Sequence, residues 1–271
     1  MIKQNPFSLY DFLGYFIPGA TLIYLFIYFS SLDASNYELE LTQFFNSDGI
    51  QLEGFLFFII LSYAIGHLNN YLSSVLVERY ANWIYDYPSK YLLKIEKKFN
   101  FKTITIKRIL IFISIFPVSI LDLVLGQVFK FKNLYVNNLD DFLIYSIKTK
   151  SVKVLDKLVP RDSSEKVPNE IGKFDFFRIL QHYAFEKTSN HQAKLINYVV
   201  LYGFLRSLTL ICVFIFWFLI YEEIFQPENG IPFYCSIIVG IASYIFFMAF
   251  MKFYRRYTLE ALMIIAIHDD E

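Results

Sequence analysis

His67 stands inside the stretch SYAIGHLNNYLSS (62–74), directly after the apolar run GFLFFIIL (54–61). Histidine titrates near neutral pH, so a polar gate or proton pathway centred on His67 is the first chemistry to weigh. At about 100° per residue, Ser62, Gly66, Asn69 and Ser73 fall in one helical stripe. Tyr63, His67, Asn70 and Ser74 fall in a second stripe beside it. Leu61, Ala64, Ile65, Leu68, Leu72, Val75 and Leu76 face away. No Asp or Glu stands near His67 in this run to complete a relay or a metal site. The competing reading is a hydrogen-bonded face that joins helices or subunits. That reading carries more weight.

Other chemistry is scarce. His182 and His191 are nine residues apart, with no Cys or carboxylate cluster at metal-ligand spacing. The chain has no P-loop, no G-x-G-x-x-G, no G-x-S-x-G and no H-E-x-x-H. The pair Asp140–Asp141 reads as a helix start, where carboxylates suit the N-terminal dipole. Cys212 and Cys235 lie in apolar runs and read as packing residues. These observations predict no catalytic residue, no metal, no cofactor and no enzyme.

The elements that would carry the polar face belong to a membrane protein. The 271 residues are 56% hydrophobic and only 18% charged, whereas soluble domains carry about a quarter charged residues. Four runs reach the length of a crossing, at about 12–31, 55–77, 207–221 and 232–253. A fifth, RILIFISIFPVSILDLVLGQVF (108–129), is long enough but contains Pro117 and Asp122. Charge decides the count. The loops 32–54 and 222–231 hold Asp33, Glu38, Glu40, Asp48, Glu53, Glu222, Glu223 and Glu228 and no base. The segment 79–206 holds 21 of the 25 basic residues, and Lys252, Arg255 and Arg256 follow the last run. Basic segments stay in the cytoplasm, so four spans are expected, with both termini inside. The 108–129 segment is then a buried cytosolic helix, an interfacial helix, or a re-entrant hairpin bent at Pro117. Equal numbers of acidic and basic residues give no case for a nucleic-acid surface.

The predicted fold is all-α: a hairpin of spans over 1–79, a mainly helical cytosolic domain over 80–198, a second hairpin over 199–254 and an amphipathic tail over 255–271. The second span is expected to run on as a helix to Pro88, past Glu78, Arg79 and an aromatic belt around Trp83. Residues 97–110 alternate briefly like a strand, but the run that follows is longer than a strand and helix is the commoner reading; 159–175 read as an exposed loop, and 174–187 as a helix with Phe177, Leu180, Tyr183 and Ala184 on one face. Ser189 and Gln192 have capping-box spacing at the start of a long helix leading into the third span. Arg206 sits where that helix enters the membrane, placed to reach lipid headgroups or to pair with Glu78. Gly14, Pro18 and Gly19 in the first span, and Ser236, Gly240 and Ser243 in the last, read as close-packing partners of the polar face. Pro18 is expected to kink the first helix or start it late. In the tail, Leu259, Leu262, Met263 and Ala266 form one apolar side of a short helix, expected to lie on the membrane or on the cytosolic domain.

Three fragments together, DFLGYFIPGA (11–20), YAIGHLNNYLSS (63–74) and LYGFLRSL (201–208), resemble a loose group of small, largely uncharacterised prokaryotic four-span membrane proteins, many found near anti-phage defence genes. The resemblance covers the membrane portion and implies an inner-membrane protein with cytosolic helices, the membrane component or effector of a defence system. It supplies no catalytic residues. The function expected is a non-enzymatic effector or sensor that couples a cytosolic signal to membrane perturbation. Its partners would be membrane lipids, further copies of itself, and a cytosolic protein or small signalling ligand. The alternatives are a scaffold subunit at the membrane and a small channel or transporter.

Overall fold

The computed structural model describes residues 11–32, 52–95, 105–156, 176–187, 189–227 and 232–267. Asp33, Glu38, Glu40, Asp48, Glu228, the alternating residues up to Ile104 and the 159–175 loop lie outside the described residues. Every regular element described is helical, and four helices are long and apolar enough to cross a membrane.

Helix α1 (Ile17–Leu32) is entered through a π-helical turn, Phe12–Phe16. Proline has no N–H to give to the carbonyl four residues back. The wider turn just before Pro18 absorbs that missing bond, with the Ile17 N–H reaching Phe12 O instead. The helix therefore starts before the proline rather than after it. Helix α2 (Leu52–Ser73) passes through a second π-helical stretch, Ser74–Glu78, into α3 (Arg79–Tyr85). The rod ends at Asp86, whose φ of 67° breaks the ladder, and Pro88 opens α4 (Pro88–Leu92).

The 108–129 segment is broken. Helix α5 (Ile106–Ser114) meets α6 (Phe116–Leu121) at an elbow of 94°, and α6 runs on through a π-helical stretch, Asp122–Val128. Pro117 lies in the first turn of α6, the position where its missing N–H costs nothing. A 3₁₀ turn, Phe131–Leu134, precedes α7 (Asp141–Asp156), where Asp140 Oδ1 accepts from the Leu143 N–H at 2.8 Å as an N-cap. Asp141 instead receives Lys94 Nζ at 2.6 Å. Helix α8 (Phe176–Lys187) buries Leu180 and Ala184 on the expected face. Helix α9 (Ser189–Phe225) and α10 (Phe233–Ile267) are long antiparallel partners. Gln192 Nε2 donates to Phe185 O at 2.6 Å, tying α9 back to the end of α8.

The last helix corrects one expectation. Residues 255–267 form no separate tail helix lying on a surface; they are the continuation of α10. Nothing between Phe253 and Ile267 breaks a helix, and Tyr257, Thr258, Ala261, Leu262, Ile264 and Ile265 are buried on more than one side. Two apolar clusters enclose this end, one with Leu92, Ile147 and Leu180, the other with Ala184 and Leu195. The largest cluster joins Val77, Tyr80, Ile115, Val118, Leu210 and Phe247. Residues from the centre of the chain thus share a core with the long helices.

Helices α1 and α2 cross at their backbones. A Cβ at Gly66 would fall on the Tyr15 carbonyl oxygen and 2.9 Å from Tyr15 Cα; one at Gly19 would fall on the Ser62 carbonyl oxygen and 2.7 Å from Gly66 N. Only glycine permits that approach. Gly66→Ala is expected to cost about 2–3 kcal/mol or to force the helices apart. Gly203→Ala, at a helix-interior site with nothing within 4 Å, should add about 0.5–1 kcal/mol. Unfolding in detergent followed by circular dichroism measures both, and the two signs should be opposite.

Candidate functional site

Four charged side chains are buried among the described residues, Asp86, Asp122, Arg206 and Glu222, and two of them, Arg206 and Asp122, organise polar partners drawn from distant parts of the chain. The first is Arg206 of α9, only 7% exposed. Its Nε donates to Ser73 Oγ at 3.2 Å, and its Nη2 donates to Asn70 Oδ1 at 2.7 Å and reaches Asn70 O at 3.5 Å. Its Nη1 donates to Glu78 Oε2, closing an ion pair. One residue on, the Ser207 carbonyl accepts from Asn69 Nδ2 at 3.4 Å. The polar run of the second helix is therefore a binding strip for the start of the third.

The two polar stripes separate in the fold. Ser62, Gly66, Asn69 and Ser73 are buried between helices. Tyr63, Asn70 and Ser74 are partly exposed, and His67 is exposed. His67 lies on Tyr15, ring centroids 3.8 Å apart, with Tyr63 edge-on at 4.5 Å. It packs beside the crossing of α1 and α2. Gly19 belongs to that crossing; Gly14 is buried but its Cβ position meets nothing within 4 Å.

The small-residue stripe of the last helix has a different partner from the one expected. Ser236, Gly240 and Ser243 are buried, but a Cβ at Gly240 would touch the Phe216 ring at 3.6 Å and Pro117 Cβ at 3.7 Å. Gly240 receives the elbow of the broken segment, not the polar face of α2. Trp217 Nε1 donates to Ser114 O at 2.9 Å from the other side of the elbow. Among the remaining charges, Arg79 is exposed, Arg255 Nε donates to Asn137 O at 3.2 Å, and Arg256 lies 5.9 Å from the Phe253 ring centroid.

The second is Asp122, which sequence reasoning treated only as an obstacle to a fifth span. Tyr80 OH donates to its Oδ2 at 3.0 Å; Tyr85 OH at 2.6 Å and Tyr135 OH at 3.0 Å donate to its Oδ1. Gln127 Nε2 supports Tyr85 OH at 3.1 Å, and Lys132 Nζ holds Gln127 Oε1 at 3.0 Å. A Cβ at Gly126 would collide with Asp122 Oδ1, so that glycine admits the carboxylate. The available signal was a lone Asp in a long apolar run, which needs donors wherever it is buried. The tyrosines assigned to a headgroup belt supply them: Tyr80 and Tyr85 turn inward, while Trp83 stacks near Arg108, 5.3 Å from ring centroid to guanidinium.

Among the described residues no group of three or more His, Cys, Asp or Glu side chains could hold a metal ion. Both charged centres fasten chain segments together: Arg206 joins α9 to the α2–α3 rod, and Asp122 joins the broken segment to that rod and to the stretch before α7. The fold defines an all-helical protein with four helices long and apolar enough to span a membrane. The chain matches no known family, and no curated protein or solved structure matches it.

Removing one partner of a buried ion pair leaves the other uncompensated, at a cost of about 3–5 kcal/mol. Arg206→Met should approach the lower figure, because Glu78 keeps some solvent contact. Glu78→Gln combined with Arg206→Met should recover part of that loss, which a double-mutant cycle in detergent would measure. Asp122→Leu removes the shared acceptor of three hydroxyls. Tyr85 and Tyr135 keep each other at 3.2 Å, but Tyr80 OH loses the carboxylate it donates to, and an unmet buried hydroxyl costs about 1–3 kcal/mol. The substitution should destabilise more than Tyr80→Phe or Tyr85→Phe alone and speed tryptic cleavage at Arg108.

Proposed function

We propose that the protein is a non-enzymatic membrane effector or sensor, in which a cytosolic helical layer reports a signal to four membrane-crossing helices. α1, the first part of α2, and the middles of α9 and α10 cross the lipid, with both termini and the basic centre in the cytoplasm. The observation that carries the reading is continuity. α9 and α10 run unbroken, over 37 and 35 residues, from apolar windows into the clusters that enclose residues 257–265. A displacement at those clusters passes along two rigid rods rather than through a flexible linker.

The contacts support a placement in which the second helix leaves the bilayer earlier than its hydropathy implies. Gly66 meets Tyr15, close to the start of α1, and Asn69 meets Ser207, at the start of the third apolar run. Asn70, Ser73, Glu78 and Arg206 then lie together at the cytoplasmic edge. In this placement the α5–α6 elbow is a re-entrant hairpin, because Pro117 and Ser114 pack on Gly240 and Trp217, well inside the apolar windows. Ile109, Leu110, Ile113, Leu123 and Val124 are exposed, a patch suited to acyl chains and too apolar for water.

Two measurements test the proposal. Alkaline phosphatase fused after Lys150 should be inactive in a bacterial host; activity there would reverse the orientation. Vesicles containing the protein, loaded with a self-quenching dye and supplied with a candidate cytosolic partner or ligand, should leak on its addition. Intact vesicles and an intact membrane potential under every trigger would leave a scaffold and remove the effector. Separately, Arg206→Met should weaken the trigger response more than it weakens membrane insertion.

A further inference from the structure

We infer that the turn from Val128 to Leu134 is a lipid-binding element that seats on the cytoplasmic leaflet and takes anionic phospholipid headgroups. The sequence VFKFKNL alternates apolar and basic residues. Val128, Phe129, Phe131 and Leu134 are exposed large side chains, Lys130 is exposed, and Lys132 is partly exposed. Lys130 adopts φ 61°, a left-handed conformation unusual for a residue with a side chain. That single residue reverses the chain between the end of the π-helical stretch and the 3₁₀ turn. Such backbone is kept where the surrounding structure requires it. The level of the turn is fixed on both sides. The Asp122 network holds Gln127 and Tyr135, and Arg255, just beyond the last apolar run, donates to Asn137 O. The apolar side chains of the turn also continue the exposed surface of α6, through Leu123 and Val124.

The chemistry fits an anionic lipid surface. No acidic residue occurs between Gly126 and Leu139, so nothing in the stretch opposes a phosphate at Lys130. Phenylalanines beside lysines are suited to the boundary, with rings among the upper acyl carbons and ammonium groups among the phosphates. A soluble acidic protein could meet the lysines but would leave the rings to be covered, and the neighbouring hairpin surface is already apolar.

The inference rests on the re-entrant placement proposed above, and two label positions separate the failures. Phe131→Cys and Val124→Cys, each in a Cys212→Ser/Cys235→Ser background, carry an environment-sensitive fluorophore in nanodiscs of phosphatidylcholine and phosphatidylglycerol. Both labels should be quenched by lipids with a nitroxide near the headgroup, and neither by aqueous iodide. Quenching at 124 with iodide access at 131 overturns the lipid-binding turn while the hairpin stands; iodide access at both overturns both. Lys130→Gly removes the ammonium yet suits the left-handed backbone. It should weaken phosphatidylglycerol binding about fivefold in native mass spectra. Lys153→Glu, at an exposed position of α7, should leave it unchanged. Equal binding by wild type and Lys130→Gly overturns the headgroup assignment.

Discussion

A guanidinium cannot be deprotonated at any ordinary pH, so a buried arginine must be given acceptors or the fold fails. Arg206 is buried between α9 and the α2–α3 rod and receives the Asn70 side chain, the Ser73 hydroxyl and the Glu78 carboxylate. This requirement dictates much of the rest. It fixes the height at which the two helices meet and explains why the second helix carries amides and hydroxyls where an apolar run had been continuing. It also keeps the rod beside α9, so that Tyr80 and Tyr85 arrive where Asp122 needs them. Two of the residues that looked like a gate, Asn70 and Ser73, are ligands of one cation, and Asn69 binds the Ser207 carbonyl beside it.

The buried charges of Arg206 and Asp122 are compensated in different ways. Arg206 meets a formal counter-charge, a directional arrangement suited to holding two long helices in register. Asp122 meets neutral phenols, three donors on two oxygens, with Lys132 held one hydrogen bond further out through Gln127. Such a cluster satisfies the carboxylate without closing an ion pair, and its donors come from the rod and from the stretch before α7. Beyond the Trp217–Ser114 hydrogen bond, the elbow of the broken segment is held largely by apolar contact at Pro117 and Ile115. In the re-entrant placement we propose, apolar contact would discriminate poorly between a helix and the acyl chains around it, and the polar cluster would supply the specificity.

Much of the architecture was legible because it depends on composition over long windows. Four apolar runs, their acidic and basic flanks and the long helix after Ser189 all follow from residue type alone. The close crossing through Gly19 and Gly66 was legible as small residues, although the sequence did not say which glycine pairs with which. The role of Gly240 was not legible, since a small-residue stripe accepts any close neighbour and the elbow at Pro117 arrived first. The tail misled for a related reason. An apolar side at Leu259, Leu262 and Ala266 reads as a surface helix only if the opposite side is wet, and burial of Tyr257, Ala261 and Ile264 makes it a core helix instead.

The most instructive difficulty is angular. On a regular helix, Glu78 lies eight residues from Asn70, about 80° around the axis, and so on a neighbouring face. The π-helical stretch Ser74–Glu78 adds one residue to the turn. Everything after it is set back by about 100°, to about 20° on the other side of Asn70. Glu78 thereby returns to the line of Asn70 and Ser73, and a single arginine can reach all three. A helical wheel drawn at constant pitch cannot place this acceptor. The wider turn has its own reason to form, since Ser73 and Ser74 both bond back to carbonyls three residues earlier, Asn70 O at 2.8 Å and Tyr71 O at 2.7 Å. Such bonds compete with the regular ladder where the bulge begins. The serines that seemed out of place in an apolar helix therefore do two things: one binds the arginine, and the pair loosens the helix so that the carboxylate can bind it too.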